Sequence, residues 1–304
     1  MRLGAAFAAD LLLAGCQASP EEPSGARPLP PGPAAGQPYL AVARGADPAA
    51  LTRAAVERLG GMRRFVSQGD TVVVKPNICV DYHPPEYAAT TNPEVVAELV
   101  RMCLAAGAAR VRVMDMPFGG TPESAYQVSG IAAAVAAAGG TMVQMSPLAF
   151  VETAIPAGRD LSAWKVYSEA LSADVLINVP IAKHHSLARL SLGGKNLMGV
   201  IADPGKFHAR LGQRVADLLS LVRPTLTVVD AYRILVAHGP TGGSLNDVQL
   251  AQTVIASHDT VAADACAATL FGLTGADVAY VKAAAEMGLG TLDLASVAIE
   301  EIEV

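Results

Sequence analysis

An α/β fold, a mainly parallel sheet flanked by helices, is predicted by three observations. Short apolar runs alternate with longer helical patterns along the chain. At 304 residues and 52% hydrophobic content, the chain can bury a sizeable core. Several apolar runs end in a charged or amide residue, and open parallel sheets bind ligands beyond the carboxyl ends of their strands.

The elements follow in order. "YLAVA" predicts a strand over 39–43, and Asp47-Pro48 caps a helix over 47–59. "TVVVK" predicts a strand over 71–75. Asn92-Pro93 opens a helix over 92–106, which Gly107 ends. Strands follow at 110–115, 141–145, 174–179, 225–230, 252–256 and 297–302, with further helices at 209–221 and 260–271. The alternation leaves room for a second, smaller lobe around residues 180–250.

Composition excludes several partners. A net charge of -6 and no basic stretch interleaved with aromatics argue against nucleic acid. Aromatic residues are only 5% of the chain, too few for stacking platforms. No apolar run approaches the ~20 residues of a membrane span.

The first residues differ from the body. "MRLGAAFAADLLLAGC" carries an apolar stretch ending in Leu13-Ala14-Gly15-Cys16, which resembles a bacterial lipobox. Residues 1–16 are therefore read as a signal and lipobox segment, 17–38 as a Pro/Gly-rich linker without packing, and 39–304 as the α/β body. The expectation is an exported protein, periplasmic or membrane-anchored, whose membrane contact runs only through an N-terminal lipid. Cys79, Cys103 and Cys266 are isolated, with no C-x-x-C pair for zinc or an iron–sulfur cluster.

Arginine outnumbers lysine 16 to 6, so positive charge defaults to Arg. A lysine here suggests a need for a titratable amine. Yet "KHHSLARLSLGGKNLMGVIADPGKFH", residues 183–208, holds three of the six lysines and three of the six histidines. Lys183, His184, Lys195 and His208 are the candidate catalytic residues. Polar residues at the ends of four strands point the same way: Lys75 with Asn77, then Asp115, then Asn178 through Lys183 and His184, then Asp230. Lys75 and Lys183 are expected to face one cleft.

"VVVKPNI", "TTNPEVV", "INVPIAKHH", "GGKNLMG", "KFH", "VVDA", "GPTGG" and "SHDTVAADA" stand in the order and spacing of the DUF362 family. The chain resembles that family over about residues 39–290. Its members, bacterial and archaeal, are often associated with iron–sulfur clusters. This chain lacks the family's ferredoxin-like cysteines, so no cluster is carried over. A looser resemblance joins His184 or His185, "GGK" and His208 to the nickel-pincer lactate racemases. It implies a cofactor held covalently by Lys195, a metal on His208, and His184 or His185 as acid/base.

The residues by themselves suggest a small anionic ligand, carboxylate or phosphate. Gly193 and Gly194 beside Lys195 and Asn196, and Gly239 with Gly242, read as backbone anion nests; with Lys75 and Asn77 they form the candidate binding set. His208, His184 and Asp230 could hold a divalent metal. Asp259 and Asp264 also read as helix caps. Three functions remain open at this point: an enzyme with a Lys/His centre, a tethered anion- or cofactor-binding protein without turnover, and a racemase-like enzyme with a Lys-bound metal cofactor.

Overall fold

The computed structural model describes residues 26–27 and 32–304; the lipobox at 13–16 and most of the expected linker lie outside these residues. All eight predicted strands form. They are β1 (Leu40–Arg44), β2 (Thr71–Pro76), β3 (Arg110–Val113), β4 (Thr141–Met142), β7 (Val175–Val179), β10 (Leu226–Leu235), β11 (Val248–Ser257) and β12 (Ile299–Glu303). The sequence reading missed two antiparallel pairs: β5 (Phe150–Ala154) with β6 (Ala163–Tyr167), and β8 (Ile181–His185) with β9 (Arg189–Ser191).

The four predicted helices form as α1 (Pro48–Arg58), α2 (Pro93–Ala106), α7 (Leu211–Val222) and α8 (Thr260–Thr269). Their boundaries have local causes. The Asp47 carboxylate accepts from the amides of Ala49 and Ala50, and Asn92 accepts from Glu94. Gly107, at φ 112°, adopts the left-handed conformation that ends α2. Among the described residues there are five shorter α-helices: α3 (Pro122–Val128), α4 (Ile131–Ala137), α5 (Ser168–Ser172), α6 (Gly193–Asn196) and α9 (Ala279–Glu286).

The strands pair in the order β12-β1-β11-β10-β7-β2-β3-β4, with β8 branching from β10 and carrying β9. β7, β2, β3 and β4 run parallel to one another and to β10, while β11 is antiparallel to β10 and to β1. Residues 180–250 join this sheet through β8 and β10, and β5–β6 form a separate small sheet. Strand alternation builds one core on each face. Val72 and Val74 pack with Leu51, Val96 and Leu99 from α1 and α2, whereas Val73 packs on the side that holds Val215 and Leu218 of α7. Among the described residues, no helix is long and apolar enough to cross a membrane.

One described residue corrects the expectation of a linker without packing. Arg27 is buried; its amide donates to Leu221 O at 3.1 Å. Its guanidinium donates to the carbonyls of Leu171 (3.3 Å), Asp174 (3.1 Å) and Ala173. Arg223 in turn donates to Arg27 O at 3.1 Å. Arg27→Ala should therefore lower the unfolding free energy by about 1–3 kcal/mol, read from urea denaturation.

Candidate functional site

A cavity of about 440 Å³ opens at the carboxyl ends of β2, β3 and β7. Lys75 and Asn77 reach it from β2, Asp115 from just after β3, and Lys183 and His185 from β8. Lys195 and Asn196 of α6, His208, Ser186 and Ser191 add to the polar lining, and Cys79, Met116, Phe118, Leu187 and Met198 supply the apolar part. Lys75 and Lys183 share one cleft, as expected. Half of the chain's lysines meet here, and no arginine is among the described lining residues.

The floor is a closed hydrogen-bond network. Lys75 Nζ pairs with Asp115 Oδ1 at 2.7 Å and donates to Asn196 Oδ1 (2.8 Å) and Pro76 O (2.9 Å). Asn196 Nδ2 returns bonds to Lys75 O (3.1 Å) and Asn178 Oδ1 (2.8 Å). Asn77 Nδ2 donates to the same Asn196 Oδ1 at 3.0 Å, while its own Oδ1 accepts from Lys183 Nζ at 2.9 Å. Lys183 Nζ also donates to Ala89 O (2.6 Å) and Pro240 O (3.0 Å). An ammonium has three N–H groups, so Lys183 is saturated by hydrogen bonds, and Lys75 is held by two hydrogen bonds and its ion pair with Asp115.

Their charges differ in compensation. Both are about 1% exposed, yet only Lys75 has a carboxylate partner; the three acceptors around Lys183 are neutral. A buried charge of this kind calls for a counter-charge. The Cys79 thiol, beside Lys183, does not supply one, because burial pushes its pKa up.

α6 carries Lys195. The Asp264 carboxylate of α8 takes the amides of Gly193 (2.6 Å) and Gly194 (2.8 Å), fixing the start of this turn. Burial pushes Asp264 up to about 7 against the pull of those two amides. A Cβ at Gly193 would press on Asp264 and Thr260, and one at Gly194 on Tyr280. These glycines therefore serve close packing. Among the described residues, Lys195 Nζ has neither a hydrogen bond nor an ion pair, and burial and the Lys183 charge push it down to about 8.

The imidazoles have distinct states. His185 Nδ1 accepts from the amides of Leu187 (3.1 Å) and Ala188 (3.2 Å), which leaves the proton on Nε2. Burial and the nearby lysines push its pKa down to about 3, so it is a neutral donor at pH 7. His208 is exposed at the cavity edge, where burial of its ring and the Lys195 charge lower its pKa.

Several expected site residues lie elsewhere. His184 alternates away from Lys183 and His185 along β8, and its Nδ1 accepts from Gly239 N at 3.1 Å. Asp230 accepts from Asn92 N (2.7 Å) and Tyr232 N (3.0 Å), with burial pushing it up to about 6. His184 and Asp230 do not join His208 around the cavity, so the expected metal trio does not form. Among the described residues, no group of three or more His, Cys, Asp or Glu could hold a metal ion.

The anticipated nests are closed too. The Gly193 and Gly194 amides belong to Asp264, the Gly239 amide to His184, and the Gly242 amide to His238 O. A cofactor on Lys195 with its metal on His208 would find both residues at one cavity, without a third such donor grouped beside them. His185 is expected only as an alternative acid/base and Asp264 as a helix cap or orienting carboxylate; the structure puts His185 in the cavity lining and Asp264 on the Gly193 and Gly194 amides, with Asn178 beneath Asn196. Alternation along "IAKHH" was the signal for His185, since Lys183 and His185 share a face.

A thylakoid-associated protein of Synechocystis sp. is 29% identical over 257 residues, covering 79% of this chain and 75% of its own. The lactate racemase apoprotein of Thermoanaerobacterium thermosaccharolyticum superposes with a TM-score of 0.46 at 12% identity, over 72% of this chain and 54% of that one. The model of the family described as "Domain of unknown function (DUF362)" matches residues 72–269, and the chain belongs to that family.

Proposed function

We propose that the chain is an enzyme acting on a small anion, an α-hydroxy or α-oxo carboxylate, through Lys195 and His208. The observation that carries this reading is the uncompensated Lys183 ammonium at the floor of a cavity lined by three lysines and one carboxylate. An anionic ligand provides the missing counter-charge. Lys75 and Lys183, already engaged, act by charge alone, and the neutral His185 donates one directed hydrogen bond. Two titratable groups remain, Lys195 pushed down to about 8 and His208 lowered by burial and the Lys195 charge, and an amine beside an imidazole exceeds what anion capture requires.

Calorimetric titration with oxalate should show binding at pH 7 that weakens as pH rises through about 8, where Lys195 loses its charge. In D2O, lactate or pyruvate should exchange its α- or β-hydrogen in the presence of the protein, and His208→Ala should stop this. Oxalate binding with no exchange would favour a tethered binding protein. Absence of oxalate binding would defeat the anion site altogether. The thylakoid association of the cyanobacterial relative supports placing this chain at a membrane as well, and membrane fractionation of Cys16→Ser against the parent chain tests the lipid anchor.

A further inference from the structure

We infer that the ligand carries an aldehyde or ketone next to its anionic group, and that Lys195 condenses with that carbonyl to form a Schiff base. This rests on the anion-site reading above and names its substrate class. Three amines line one cavity, but their chemistry is not shared equally. Lys75 Nζ donates to Asn196 and Pro76 and is ion-paired with Asp115, and each N–H of Lys183 is spent on Asn77, Ala89 or Pro240. For either amine to attack a ligand, a buried acceptor would have to give up its donor, at about 1–3 kcal/mol for each. Lys195 has no such partner to abandon among the described residues, and its backbone is fixed by the Asp264 clamp.

The competing nucleophiles are muted. The Cys79 thiol is nine-tenths or more buried and held protonated, and His185 has its lone-pair nitrogen occupied by two amides. With Lys195 pushed down to about 8, roughly a tenth of it is the neutral amine at pH 7, against well under a thousandth for an ordinary lysine. Met116, Met198, Phe118 and Leu187 add apolar surface to the same cavity, which favours a condensation that expels water.

The step balances without an oxidant or reductant. The Lys195 lone pair adds to the carbonyl carbon, both amine protons pass to the carbonyl oxygen, and that oxygen leaves as water. A carbon–nitrogen double bond remains, and hydrolysis reverses it. The carboxylate of the ligand meanwhile faces the Lys183 charge.

Incubating the full chain with pyruvate or glyoxylate and cyanoborohydride, followed by peptide mapping, tests this directly. Lys195 should gain one reduced ligand at least tenfold faster at pH 7 than Lys165, Lys206 or Lys282, which are exposed. Oxalate, which has no aldehyde or ketone, should slow labelling at Lys195 alone, a control that needs no variant. Lys195→Arg should lose the adduct while retaining oxalate binding. Equal labelling of the exposed lysines with Lys195 unmodified overturns the inference. If oxalate still binds in that case, the anion reading stands; if it does not, both fall.

Discussion

Asp115→Ala is expected to cost about 3–5 kcal/mol of stability, because it strands a buried ammonium. Lys75 and Asp115 are about 1% and 3% exposed, with their charged atoms 2.7 Å apart. Asp115 Oδ2 also accepts the Ile78 amide at 2.5 Å, so the truncation removes a second buried bond. Gly199 packs so closely here that a Cβ would overlap the Asp115 carboxylate and the Lys75 amine. Little rearrangement can fill the space. Urea unfolding of the variant is the measurement, and a loss below about 1 kcal/mol would mean that water or another group reaches Lys75.

Lys195→Met is expected to act in the opposite direction on stability while abolishing ligand retention. Burial and the Lys183 charge lower its pKa from 10.5 to about 8, so holding the charged form in the fold costs up to about 3 kcal/mol. Below pH 8 the side chain is charged in both folded and unfolded chains, and the full penalty applies. Between 8 and 10.5 the unfolded chain binds the extra proton, so native stability rises with pH. Above 10.5 the penalty is gone. The variant should thus exceed the parent by about 1–3 kcal/mol at pH 7, with the gap closing toward pH 10.5. Thermal melts across that range check it; a variant that is destabilised at pH 7 would make Lys195 a packing residue.

Much of the framework was legible because strand and helix signals were local. "TVVVK" and Asn92-Pro93 to Gly107 carry their own boundaries, and β2 and α2 form where those boundaries lie. Lys75, Asp115 and Lys183 converge because the strands that carry them are parallel neighbours or branch from one. Asp230 was misleading for a specific reason: β10 continues five residues past it to Leu235, so it sits inside the strand and caps the approach to α2. The glycine amides could not be assigned from sequence, since their acceptors, Asp264 and His184, are distant by 70 and 55 residues. The hairpin β5–β6 was obscured because its strands are half-exposed and carry few β-branched runs.

The docking of Arg27 sets an orientation for the whole molecule. Its bonds to Asp174 O and Leu221 O lie at the beginning of β7 and the far end of α7, whereas the cavity lies beyond the other end of β7. Five residues of extended chain separate the two edges by about 17 Å. A surface holding this protein by anything upstream of Arg27 would therefore be joined to the body at the edge away from the cavity mouth. A link made there would leave the cavity mouth uncovered, so a ligand would enter without the link having to move aside.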